Sequence, residues 1–223
     1  MPEDRTVSFE GFSAPLRGKV RSPASGAVSG ALVLAHGRNG DMDEPLVEGL
    51  ARRAVDLGWW TLRFNFAFAD AKGEPSADTS DEIADLREAI AFARRESGAE
   101  TVTIVGRGLG AWAVVAAATD EDAEDAILLG ISYAGQEERR VALERLGEFD
   151  VPALIVVGSR SDRVDLPALK AIVDPLPFVQ LDVIERADHR LRDGAGRPML
   201  DEVLTRCEAW LKGRLQAPAL VAA

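Results

Sequence analysis

The chain has 223 residues, 47% of them hydrophobic, with no Pro/Gly/Ser-rich linker, so a single domain over residues 1–223 with a substantial core is expected. Its formal net charge of -11 opposes a broad nucleic-acid or anionic-membrane surface and leaves small-molecule ligands, with room for a homo-oligomer.

The first residues, Met1-Pro2-Glu3-Asp4-Arg5, lack the apolar stretch of a signal peptide, and no apolar run reaches membrane-spanning length, which predicts a cytoplasmic protein. Thr6 to Phe9 and Gly18 to Arg21 read as an antiparallel lead-in. Ala31 to Ala35 is an unbroken apolar run of the kind buried on both faces of a sheet, and it ends in His36-Gly37-Arg38-Asn39-Gly40. Leu46, Leu50, Ala54 and Leu57 recur at helical spacing before a Gly58 stop, and the next strand is expected over Trp59 to Phe66. Ser80 is expected to cap a helix with Ile83, Leu86, Ile90 and Ala93 on one face, ended by Gly98.

Thr101 to Val105 is a β-branched strand, Gly106-Arg107-Gly108-Leu109-Gly110 a turn, and Ala111 to Ala118 a small-residue helix. Ala126 to Ile131, Ala153 to Val157 and Phe178 to Ile184 supply further strands, with a charged helix around Glu137 to Leu146. Pro198 is expected at the first position of a terminal helix whose apolar face includes Cys207, so burial rather than reactivity is the expected role of this single cysteine. Alternation of this kind predicts an α/β fold with a mostly parallel sheet and helices on both faces.

Ligands of open α/β sheets bind beyond the carboxyl ends of strands, so chemistry is sought in the loops starting at His36, Gly106, Gly158 and Glu185. Gly106-Arg107-Gly108-Leu109-Gly110 has the spacing of a nucleophile elbow, G-x-S-x-G, with glycine where the serine oxygen would be. The same residues with Ala111 satisfy G-x-G-x-x-A. A dinucleotide site is the weaker reading, because the acids Asp120 to Asp125 precede the following strand and do not end it. Position 108, Asp162 and His189 follow the order nucleophile, acid, base, with Asp165 and Asp188 as other nearby acids. The backbone N–H groups of Arg38 and Leu109 are the expected pair of oxyanion donors, and His36 is expected to orient its loop. No metal-ligand spacing is present and no cofactor is expected; Trp59, Trp60 and Trp112 read as packing residues.

Leu34-Ala35-His36-Gly37, Leu62-Arg63-Phe64-Asn65-Phe66, the Gly106 to Gly110 turn and Asp188-His189-Arg190, in that order, resemble the α/β-hydrolase superfamily, and within it the small hydrolases near the dienelactone hydrolases. The resemblance covers about residues 30–212. It implies the α/β-hydrolase fold with little or no lid, and carboxylic-ester or related acyl chemistry without a cofactor. Two departures stand out: Gly108 replaces the family serine, and Asp162 lies one residue further from Gly158 than the family's G-x-x-D places its acid. Three readings of Gly108 stay open: an inactivated variant of a serine hydrolase, a natural pseudo-hydrolase that binds a ligand or partner, and hydrolysis by a water that His189 activates. Weak or no turnover is expected in each; a nucleotide-binding oxidoreductase is a distant alternative.

Overall fold

The computed structural model describes residues 3–120, 122–148 and 150–216. Eight strands form one sheet: β1 (Arg5–Phe9), β2 (Leu16–Arg21), β3 (Gly30–Ala35), β4 (Trp59–Phe64), β5 (Val102–Arg107), β6 (Asp125–Leu129), β7 (Ala153–Gly158) and β8 (Val179–Ile184). Their spatial order is β1-β2-β4-β3-β5-β6-β7-β8; β1 and β2 run antiparallel and the rest are parallel. The helices are α1 (Pro45–Asp56), α2 (Ala67–Asp70), α3 (Ser80–Ser97), α4 (Leu109–Thr119), α5 (Glu137–Glu148), α6 (Leu166–Val173) and α7 (Leu200–Gln216). This is the α/β-hydrolase architecture, and β6 leads to α5 through residues 130–136 alone, too short a passage for a lid.

The apolar runs are buried on both faces because helices cover both. In β3, Ala31, Val33 and Ala35 face a core shared with α3, α4, α5 and α6, while Leu32 and Leu34 face one shared with α1 and α7. Alternate residues of one strand thus enter opposite layers, as the period of two requires. Cys207 is fully buried beside Val203, Leu204 and Leu211 of α7, and burial pushes its thiol up to about 12.

The boundaries depart from the sequence reading at three places. The strand expected to reach Phe66 stops at Phe64, because the Phe66 N–H turns away to donate to His36 Nε2 at 3.1 Å. Ser80 is not the cap of α3 but its first residue; the cap is Thr79, held at φ 66° with no side-chain capping bond. Pro198 does not open α7, which begins at Leu200, but forms an isolated antiparallel bridge with Arg192. Helices α2 and α6 had no periodic signal, being short; Asp165 starts α6 by accepting the Ala168 N–H at 3.1 Å.

Two junctions set up the carboxyl edge of the sheet. At the first, β5 passes into α4 so tightly that a Cβ on Gly106 would lie 2.3 Å from the Gly110 carbonyl oxygen and 2.5 Å from Ala111 Cα. A Cβ on Gly110 would lie 2.6 Å from the His36 carbonyl oxygen, so α4 is also wedged against the end of β3. At the second, His36 is fully buried; its Nδ1–H donates to the Gly37 carbonyl at 2.7 Å while Nε2 accepts from Phe66. Both ring nitrogens are used by the neutral form, and burial lowers the His36 pKa against the raising influence of the Gly37 carbonyl, Asp41 and Asp70.

Two outcomes follow from these junctions. Gly106→Ala must displace backbone and is expected to cost about 3 kcal/mol or more in chemical denaturation. Gly108→Ala meets only Gly37 Cα at 4.0 Å, and its expected cost is the backbone strain of about 1–3 kcal/mol; equal costs would mean the junction is not steric. For His36, the unfolded chain takes up a proton near the usual value of about 6.5 while the folded chain resists it. Stability is therefore lost as pH falls through that range, by at most about 1.4 kcal/mol per pH unit. Urea denaturation between pH 5 and 7 should show a shallower fall for His36→Asn than for the parent; parallel curves would contradict a buried neutral imidazole.

Candidate active site

The loops at His36, Gly106, Gly158 and Glu185 lie beyond the carboxyl ends of β3, β5, β7 and β8, and residues after β6 adjoin them. Gly108 sits between β5 and α4 at φ 53°, ψ −107°, a conformation that carries any side chain there outward from the turn, and its N–H donates to the Leu129 carbonyl at 2.9 Å. The space in front is open, so the position is not glycine for lack of room. Leu109 is the first residue of α4, and its N–H has no acceptor within the helix. The Arg38 N–H, in the loop after β3, has no acceptor among the described residues. Both residues line the same cavity of about 750 Å³ as Gly108 and His189.

The acid and base loops are brought together by a close backbone crossing. A Cβ on Gly158 would lie 2.3 Å from the Ala187 carbonyl oxygen and 2.4 Å from that of Asp188, so only glycine lets the His189 loop lie across the end of β7. The Ser159 N–H donates to Ile184 at 3.0 Å, Arg160 N–H to Ala187 at 2.9 Å, and the Ser159 hydroxyl accepts the Arg186 N–H at 2.8 Å. Across this seam His189 Nδ1 lies 3.0 Å from Asp162 Oδ1. That approach turns the Nδ1 side of the ring toward the carboxylate. On the far side the His189 carbonyl packs on Gly130 at the end of β6, next to the Leu129 that holds Gly108.

Asp162 is the carboxylate on the imidazole, although its side chain is 78% exposed. Asp165 caps α6, and Asp188 Oδ1 accepts the N–H groups of Arg190 and Arg192 at 2.8 and 2.9 Å, which shapes the His189 loop from within. The longer spacing from Gly158 to Asp162 is accommodated by the seam to β8. Trp59 and Trp60 are buried as expected, and Trp112 packs partly buried against the core as expected while also lining the cavity.

Arg63, Asn65 and the Glu44–Arg107 pair, to which the sequence reading gave no role, hold the loops in place. Arg63 is 1% exposed and reaches across to the Met42 carbonyl at 2.9 Å, Asp43 at 3.0 Å and Asp4 at 2.5 Å. Asn65 accepts the Met42 N–H at 2.8 Å and donates to Asp70 at 2.7 Å, so the Arg63-Phe64-Asn65-Phe66 segment clamps the loop that carries Arg38. Glu44, at the start of α1, pairs with Arg107, whose guanidinium also donates to the Arg190 carbonyl at 3.3 Å. Burial raises the Glu44 pKa, against the opposing charge of Arg107. Arg107 thereby joins the β5 turn to the loops on either side of it. Among the described residues no group of His, Cys, Asp and Glu side chains converges as a metal site, and no helix is long and apolar enough to cross a membrane.

Known proteins share this fold. The chain superposes on an α/β serine hydrolase without a lid from Xanthomonas campestris (19% identity, 97% of each chain, TM-score 0.77). It matches an α-β serine hydrolase homologue from Coxiella burnetii equally broadly (22% identity, 95% of this chain and 96% of the other, TM-score 0.75). A dienelactone hydrolase from Anabaena variabilis shares the fold too (20% identity, 95% and 98%, TM-score 0.73). No curated protein matches the chain in sequence. The family profile described as the alpha/beta hydrolase domain matches residues 28–208, and with that the chain belongs to the alpha/beta hydrolase family.

Proposed function

We propose that this protein carries a serine-hydrolase-type site for carboxylic esters or related acyl compounds, complete except for the nucleophile oxygen at position 108. The observation that carries this reading is the His189–Asp162 contact of 3.0 Å opening onto the cavity that Gly108 lines. A lone loop histidine has no need of an oriented carboxylate; a general base does, because the carboxylate fixes the tautomer and stabilises the imidazolium.

In the complete reaction a serine oxygen at 108 would attack the acyl carbon while His189 Nε2 removes its proton. The carbonyl oxygen would take up negative charge facing the N–H groups of Arg38 and Leu109, and His189 would return the proton to the leaving alcohol. Water would repeat the sequence to release the acid. With Gly108 the attacking oxygen is absent, and the remaining donors, binding cavity and base give weak or no turnover: acceleration of roughly 10³ to 10⁴ over water survives the loss of a triad member elsewhere. A pseudo-hydrolase that retains a ligand in the cavity uses the same walls and is the second reading.

Gly108→Ser is expected to raise kcat/KM for short activated esters by about 10²-fold or more, and His189→Ala in that background to remove the gain. The φ of 53° is the strain that serine would bear. A folded Gly108→Ser protein with parental activity on an ester panel would leave the ligand-binding reading in its place.

A further inference from the structure

Charge on this protein is unevenly compensated. Outward-facing arginines pair with acids: Arg87 with Asp120 and Asp122, Arg53 with Asp201 and Glu208, Arg140 with Glu137 and Glu144. Four arginines on the cavity wall, Arg139, Arg163, Arg190 and Arg192, have no carboxylate at ion-pair distance among the described residues, in a chain of net charge −11. The acids on the same wall are engaged elsewhere: Asp43 by Lys19 and Arg63, Glu44 by Arg107, and Asp41 by the Asp43 N–H.

Arg139 is the most organised of the four. Its guanidinium carbon stands 4.7 Å from the Trp112 ring centre, and one nitrogen donates to the Ser132 carbonyl at 2.6 Å and the Ser132 hydroxyl at 2.7 Å. Partial burial lowers its pKa, opposed only by the charge of Glu138. A guanidinium placed over an indole ring, partly desolvated and with no carboxylate at ion-pair distance is a receptor for a planar or tetrahedral oxyanion, since part of its ordering and dehydration is already met. Ser132 lies in the loop after β6 and Trp112 lies on α4 one turn from Gly108, so this anion position shares the cavity with the proposed reacting position.

We infer that the cavity takes an anionic substrate or ligand whose carboxylate or phosphoryl group binds Arg139, with Arg163 on the adjoining wall. This rests on the hydrolase reading for the word substrate, but not for the anion site itself. With an ester, the anion would lie on the part of the molecule held away from residue 108.

The test is calorimetric titration of the protein with monomethyl succinate, dimethyl succinate and inorganic phosphate at low salt. Saturable binding of monomethyl succinate or phosphate is expected, with the neutral diester at least about tenfold weaker. Which of the two anions binds tighter tells a carboxylate site from a phosphoryl site. Arg139→Gln should weaken anion binding about tenfold or more, Arg163→Gln should weaken it independently, and Arg140→Gln, which removes the same charge from a paired outward residue, should leave it unchanged. Equal affinity for the neutral diester, no anion binding, or equal losses from Arg139→Gln and Arg140→Gln would overturn the inference. The two readings separate in the Gly108→Ser background. Turnover of both esters with equal KM keeps the hydrolase and removes the anion site, whereas Arg139-dependent binding without turnover keeps the anion site and removes the hydrolase.

Discussion

The arrangement depends on one backbone constraint: a strand must become a helix within a residue, with neither end able to hold a side chain. Gly106 and Gly110 meet that constraint by letting β5, α4 and the end of β3 touch backbone to backbone. The residue between them is then forced to φ 53° and points into the cavity. Its neighbour Leu109 lines the same cavity and, because it opens a helix, leaves its N–H without an acceptor inside that helix. Strain in such a turn is normally tolerated for what the side chain does. Here the turn persists with no side chain on it, although there is room for one.

A second close crossing does for the base what the first does for the turn. The end of β7 is glycine, so the His189 loop lies directly on it and hydrogen bonds tie the two loops together. That seam brings Asp162 to His189 despite the extra residue in its loop, and Asp188 shapes the loop by holding two of its own N–H groups. The buried Arg63 and the Glu44–Arg107 pair fix the opposite wall. Partnered buried charges of this sort are costly to form and more costly to break, so they lock loop positions more than they add stability.

Much of this was legible in the sequence because the parallel strands are apolar runs ending in short polar turns, and because the order of position 108, Asp162 and His189 survives without any geometry. What was not legible has physical causes of two kinds. Arg63 stands in a strand motif whose spacing does not say that Asp4, Met42 and Asp43, each far along the chain, close around it. Ser80 looks like a helix cap, yet Thr79 takes that place, and Pro198 is drawn into a bridge with Arg192 that delays α7. Trp112 belongs to a small-residue helix, and only its position over Arg139 places it on the cavity wall. For Arg63 and Trp112 the partners come from other elements, whereas the Thr79 cap and the Pro198 bridge are set by the local loop path.

In the proposed site, residue 108, His189 and the N–H groups of Arg38 and Leu109 surround one reacting atom. The most direct measurement is a crystal structure of Gly108→Ser after reaction with a fluorophosphonate. The account predicts a phosphonyl group on the serine oxygen, its phosphoryl oxygen about 2.7–3.1 Å from both backbone nitrogens, with His189 beside the ester oxygen. An unreacted serine, or an adduct whose oxygen faces neither N–H group, would contradict it.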